Sequence, residues 1–329
     1  MILFSHYDIL ETAALRYNNH EVIFMTTTQL LKNLQTPDHT VDVVLDTDAY
    51  NEIDDQFAIS YMLLSPEKLN VKGLCAAPFF NSNSTSPADG MIRSFDEIIK
   101  LLKLAQREDL IPHVYKGSDC YLPDEKTPVP SDSATYMAEL ANQYTADNPL
   151  YIVAIGAITN VASALLLNPE MKDKTVVVWL GGHAHHWKNT REFNMFQDVA
   201  AARVVFGSGV PLVQLPCCGV VDRFAASRWE LEYWLKGKNP LADYLAQNTI
   251  DAAESYAAGK PWVRVIWDVT AVAWLLNDNH RFMEDELRHT PIPQYDDHYS
   301  FDNNRQLMTY VSNIHRDALF KDLFDKLTK

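Results

Sequence analysis

Four aspartates, Asp46, Asp48, Asp54 and Asp55, fall within ten positions at the end of an apolar run, in V-V-L-D-T-D-A-Y-N-E-I-D-D. Carboxylates this close repel one another, so the group either takes up protons or binds something positive. A hard divalent cation fits best, because it takes oxygen ligands. The plainer reading, that Asp54 and Asp55 only suit the dipole at a helix start, accounts for two of the four. Val41, Val43, Val44 and Leu45 read as a short buried strand. The spacing of Phe57, Ala58, Tyr61, Met62 and Leu64 predicts the helix that follows. The aspartates therefore sit where a strand hands over to a helix.

The same strand–loop–helix rhythm recurs along the chain. Strands are expected at 41–45, 69–76, 150–155, 175–180 and 211–215, with helices at 54–65, 91–106, 133–144, 159–167, 197–206 and 269–276. Alternation of this kind gives βαβ units: one large α/β domain with a mostly parallel central sheet flanked by helices, Rossmann-like, and ligands beyond the strands' C-terminal ends. Prolines 112, 123, 128 and 130 mark 107–132 as loop. The stretch 221–262 reads as helical and rich in Trp and Tyr. The stretch 278–304 reads as polar and irregular, ahead of a closing helix near 312–327. Residues 1–24 are expected to be a peripheral extension to a domain spanning 25–329; Met25 opens a Thr-capped helix and is a candidate start.

Composition narrows the classes. At 329 residues and 47% hydrophobic the chain can bury a full core. Its net charge of −15 argues against nucleic acid as a partner. No apolar run approaches a membrane span. Cys75, Cys120, Cys217 and Cys218 form no C-x-x-C pair, so a structural zinc site is not indicated. Reduced, mostly buried thiols in a cytoplasmic protein are the expectation.

The first segment resembles the N-terminal signature of the inosine-uridine-preferring nucleoside hydrolase family, a strand followed by D-x-D and then a D-D pair. The family's loop between them is Pro-Gly plus one residue; here Ala49 to Ile53 make it two residues longer. Four more segments resemble the family in the same order. A-A-P-F-F-N-S-N-S (76–84) follows the second strand and offers Asn81. L-Y-I-V-A-I-G-A-I-T-N-V-A (150–162) is similar to an element that lends a backbone carbonyl, here that of Ile155, to the metal. V-V-V-W-L-G-G-H-A-H-H-W-K-N-T-R-E-F-N-M-F-Q-D (176–198) carries Glu192 and Asn194 where the family binds ribose hydroxyls; a further Asn of the family falls on His186. V-I-W-D-V-T-A-V-A (265–273) supplies Asp268, with Trp267 where many members have His and the purine-preferring branch has Trp.

What the resemblance implies is a metal-dependent hydrolase that cleaves the N-glycosidic bond of ribonucleosides, purines favoured, in purine salvage. Ca2+ would be held by Asp48, Asp55, Asp268 and the Ile155 carbonyl, with Asp48 as catalytic base. Asp54, Asn81, His186, Glu192, Asn194 and Trp267 would meet the substrate, in a homo-oligomer, dimer or tetramer. The acid for the leaving base is open among His185, His186, Tyr121 and water. Three competing readings are a zinc site on His183, His185 and His186, a haloacid-dehalogenase-like phosphatase with Asp46 as nucleophile, and a non-catalytic nucleoside or ribose binder.

Overall fold

The computed structural model describes residues 25–329, so the expected extension at 1–24 lies outside the described residues. Its twelve strands are β1 (Val41–Thr47), β2 (Leu69–Ala76), β3 (Val114–Lys116), β4 (Leu150–Ala154), β5 (Thr175–Leu180), β6 (Leu212–Leu215), β7 (Ala225–Ser227), β8 (Val263–Val265), β9 (Met283–His289), β10 (Ile292–Pro293), β11 (Tyr299–Ser300) and β12 (Leu307–Ile314). Eight form one sheet in the order β3-β2-β1-β4-β5-β6-β12-β9. All neighbours run parallel except β12 and β9. β7 pairs with β8, and β10 with β11, as two small antiparallel ribbons.

The central strands are apolar on both faces because both faces are covered. Val43 and Leu45 of β1 join one core cluster, with Phe57 and Met62 of the helix Asp54–Leu63, while Val44 joins the other. β5 alternates likewise, Val176 and Val178 facing one side and Val177 and Trp179 the other. Strand order reverses at β1, with β2 on one side and β4 on the other, and such a switch point leaves a crevice beyond the strand ends. Asp46 lies on β1 there, opposite Ala154 of β4, and Asp48 follows immediately.

The five expected strands are present, and the Rossmann-like architecture holds. Seven strands were not foreseen: in the main sheet β3, inside the stretch read as loop, β9, inside 278–304, and β12, where the closing helix was expected to begin; outside it β7, within the stretch read as helical, its partner β8, and the ribbon β10 and β11, also inside 278–304. The closing helix starts at Arg316. The region 221–262 does hold two helices, Arg228–Trp234 with a Ser227/Glu230 capping box and Pro240–Ala257 with Asn239 as its cap. The helix expected from 91 begins at Pro87, capped by Ser86. Thr26 caps the helix Thr27–Asn33, as read. All four cysteines are free; Cys75 and Cys217 are buried and Cys120 is exposed. Among the described residues no helix is long and apolar enough to cross a membrane.

Candidate active site

Four buried carboxylates meet at the switch point. Oxygens of Asp54, Asp55 and Asp268 lie within 4.8 Å of one another. Asp48 stands close enough for the charges of Asp55 and Asp54 to act on it. They come from three pieces of chain: Asp48 from just past the end of β1, Asp54 and Asp55 from the first turn of a helix, and Asp268 from the residue before the helix Val269–Trp274. Thr47 Oγ1 donates to Asp55 Oδ1 at 2.5 Å and fixes that side chain. Both oxygens of Asp48 are buried without a hydrogen-bond partner. Gly156 makes this packing possible, since a Cβ there would stand 3.0 Å from Asp48 Cγ.

Burial, then the charges of Asp55 and Asp54, hold Asp48 well above the usual carboxylate range. Asp268 is raised for the same reasons, burial first and then its three acidic neighbours. Burial also raises Asp54, with Glu52 and Asp55 adding and Arg264 opposing. Burial lifts Asp55 to about 6 against the pull of Thr47. An orphaned carboxylate beside three more is a donor set that fits a hard divalent cation. The expected ligand set named Asp48, Asp55 and Asp268; the tightest trio instead includes Asp54, with Asp48 beside it.

The fourth expected ligand, the Ile155 carbonyl, lies just past β4 and accepts from Asn194 Nδ2 at 3.1 Å. Asp46 belongs to the frame of the site. It is fully buried, and its Oδ1 accepts from Asn160 Nδ2 at 2.8 Å. Asn160 also accepts from Ser118 N–H at 2.8 Å and donates to Ala76 O at 3.1 Å, tying β1 and β2 to the helix Thr159–Leu167. With Oδ1 committed to Asn160, Asp46 serves as a structural tie, and nothing around it supports the phosphatase reading.

A cleft of about 660 Å3, counted with its open mouth, lies over the carboxylates. Asp54, Ile155, Glu192, Asn194, Trp267 and Asp268 all line it, as expected from the sequence. Glu192 is more engaged than expected. It caps the helix Phe193–Gln197, accepting from Asn194 N–H at 2.9 Å and Met195 N–H at 3.0 Å, and takes Gly182 N–H at 2.8 Å. Asn194 spends its amide nitrogen on the carbonyls of Ile155 and Leu180. Trp267 is half-buried, one part against the core and one part on the cleft.

Four expected site residues are not part of the cleft lining: Asp48 and Asp55, which are buried, and Asn81 and His186. Asn81 does not line this cleft; its Nδ2 donates to Asn51 Oδ1 at 2.6 Å, and Asn51 is the residue that reaches in. Asn51 and Glu52 both belong to the lengthened loop, and both line the cleft. Gln56 Nε2 pins that loop through the Ala49 and Glu52 carbonyls at 2.7 and 3.1 Å. His186 is also outside the cleft, packed near Gly219. His183 lines it instead, its Nδ1 accepting from Cys218 N–H at 3.2 Å. His185 turns to Gln214 at 3.0 Å, and burial lowers its pKa to about 4. His183 and His185 thus have separate partners, and among the described residues the three histidines are not grouped as a metal site. Asn51, Arg191, Phe193, Cys217 and Cys218 were missed as cleft residues.

The model of the inosine-uridine preferring nucleoside hydrolase family matches residues 43–306, and the chain belongs to that family. It is 27% identical over 304 residues to the pyrimidine-specific ribonucleoside hydrolase RihA of Klebsiella pneumoniae, covering 82% of this chain and 93% of that one. The RihA of an Enterobacter strain is 29% identical over 196 residues, 56% of this chain and 62% of its own length. In fold the chain is similar to the plant nucleoside hydrolase PpNRh1, with a TM-score of 0.69 at 20% identity over 88% of this chain and 99% of that one. The purine-preferring ribonucleoside hydrolase of Gardnerella vaginalis gives 0.68 at 20% identity, over 87% and 98%.

Proposed function

We propose that this protein hydrolyses the N-glycosidic bond of ribonucleosides to free base and ribose, with Ca2+ as cofactor and purine nucleosides favoured. The observation that carries the reading is the buried, unpartnered Asp48 carboxylate grouped with Asp54, Asp55 and Asp268, two of which, Asp54 and Asp268, line the cleft. Asp48, Asp55, Asp268 and the Ile155 carbonyl are the groups that would hold the cation, with Asp54 in ligand range. Bound there, a divalent cation supplies charge that binds a vicinal diol and lowers the pKa of a water.

The protein's own groups do the rest. Asp48 takes the proton of the attacking water as the C1′–N bond opens toward an oxocarbenium-like transition state. Asp54 accepts from a ribose hydroxyl. Asn194 presents its carbonyl oxygen to the sugar, because its nitrogen is already spent. Glu192 holds Asn194 in place through the helix cap and faces the same cleft. Free thiols fit a cytoplasmic enzyme, and a homo-oligomer remains the expected state.

Because the diol is the handle, 2′-deoxynucleosides should be hydrolysed far more slowly than ribonucleosides. Equal rates would contradict the sugar contacts. Base preference rests on Trp267, whose indole can stack on a bicyclic base for roughly 1–3 kcal/mol. Trp267→Ala should therefore lose activity selectively on inosine. An equal loss on inosine and uridine with a lowered Tm would mark the ring as core, and would leave the pyrimidine specificity named for RihA as the better guide.

A further inference from the structure

A second cavity, of about 1000 Å3 counted with its mouth, adjoins the catalytic cleft and shares Asn51 and Glu52 with it. Tyr50, Tyr244 and Tyr256 give it aromatic walls. Two buried polar atoms of residues lining it have no partner, Arg264 Nε and Gln56 Oε1. The Arg264 guanidinium is held from two sides, Nη2 donating to Glu52 Oε2 at 2.6 Å and Nη1 to the Tyr256 hydroxyl at 3.0 Å. It stands on β8, four residues before Asp268. Flat aromatic walls with one spare donor and one spare acceptor suit a planar heterocycle.

Resting on the hydrolase reading above, we propose that a base stacked on Trp267 in the cleft projects its far edge into this adjoining cavity, and that Arg264 is the group that stabilises it as it leaves. When the C1′–N bond breaks, its electron pair stays on the base. The water oxygen bonds C1′, the water proton goes to Asp48, and the departing base later takes a proton from solvent. Arg264 keeps its own protons and donates a hydrogen bond to the base through Nε–H. Negative charge developing on the base beside four carboxylates is otherwise opposed, and a fixed guanidinium in a partly water-excluded wall offsets that opposition. Trp267 cannot donate a proton as a His there would, so the charge must be met from another side. Arg191, which lines the catalytic cleft, is paired with Asp297 at 3.1 Å and its side chain is 58% exposed.

The test compares inosine, uridine and 4-nitrophenyl β-D-ribofuranoside, whose nitrophenolate leaves as a stable anion without help. R264Q should lower kcat/KM on both nucleosides by about 10²–10³-fold, the cost of losing one such donor, and leave the nitrophenyl riboside within about threefold of wild type, as expected where no charge needs meeting. E52Q, which loosens the ion pair but keeps the cation, should keep the wild-type ratio between substrates. If R264Q does not fold, R264K keeps the charge without Nε–H, and its smaller loss should again fall on the nucleosides alone. A loss shared equally by all three substrates would make Arg264 a brace for Glu52 and Tyr256, and no loss on any would also overturn the proposal. A wild type that cleaves none of the three would sink the hydrolase reading itself, which is a different result.

Discussion

Asp48→Asn should lower kcat for ribonucleoside hydrolysis by about 10²–10⁴-fold, the range for removing a general base, while the Tm stays level or rises in chelator. The substitution is isosteric and removes a carboxylate whose two oxygens are buried and unpaired. An unpaired buried charge opposes folding, so relieving it cannot destabilise on electrostatic grounds. Circular dichroism against temperature and a ribose-release assay on the same preparation check both halves. An unchanged kcat with a lowered Tm would make Asp48 a structural residue and remove it from the chemistry.

The second large effect is the link between metal, pH and stability. Asp48, Asp54, Asp55 and Asp268 all hold protons more tightly when folded than an ordinary carboxyl, Asp55 to about 6. Between about pH 4, where unfolded carboxyls release their protons, and the raised folded values, the native state binds more protons than the unfolded one. Stability of the chelated protein must then fall as pH rises through that window and level off above it. Ca2+ should remove most of this slope, since it replaces the protons, and at a hundredfold excess over Kd it adds about 2.7 kcal/mol. That corresponds to a rise in Tm of roughly 4 °C in a chain of this size. Asp268→Ala should abolish the Ca2+-dependent rise and leave a folded protein. Calorimetry showing unchanged Ca2+ affinity in Asp268→Ala would take that residue out of the site, and a chelated Tm that climbs from pH 5 to 8 would contradict the proton uptake.

Much of the site was legible because its residues sit at element ends that announce themselves. Asp48 closes a continuous apolar strand, Asp54 and Asp55 open a helix, and Asp268 precedes another, so each position followed from local pattern. The identity of the cleft's outer residues was not local. Whether Asn81 or Asn51 reaches the cleft depends on how a lengthened loop folds across it, and the Gln56 brace that decides this spans seven residues. His183 and His186 are three apart on an irregular loop, and the hydrogen bond that orients His183 comes from Cys218, 35 residues on. The same holds for the missed strands. β9 reads M-E-D-E-L-R-H, a polar edge strand with little to bury, and its pairing with β12 is set by contacts made across an intervening ribbon. Arg264 gave no sequence signal at all, since its meaning rests on Glu52, 212 residues away.

The central claim is that a cation at these carboxylates drives ribose release, and it is tested most directly by measuring free ribose from inosine, uridine, adenosine and cytidine with and without chelator. Ribose should appear from ribonucleosides, fastest from a purine, fall to background in chelator and return on adding Ca2+. Nucleosides that bind without releasing ribose, or release it at the same rate in chelator, would contradict the account.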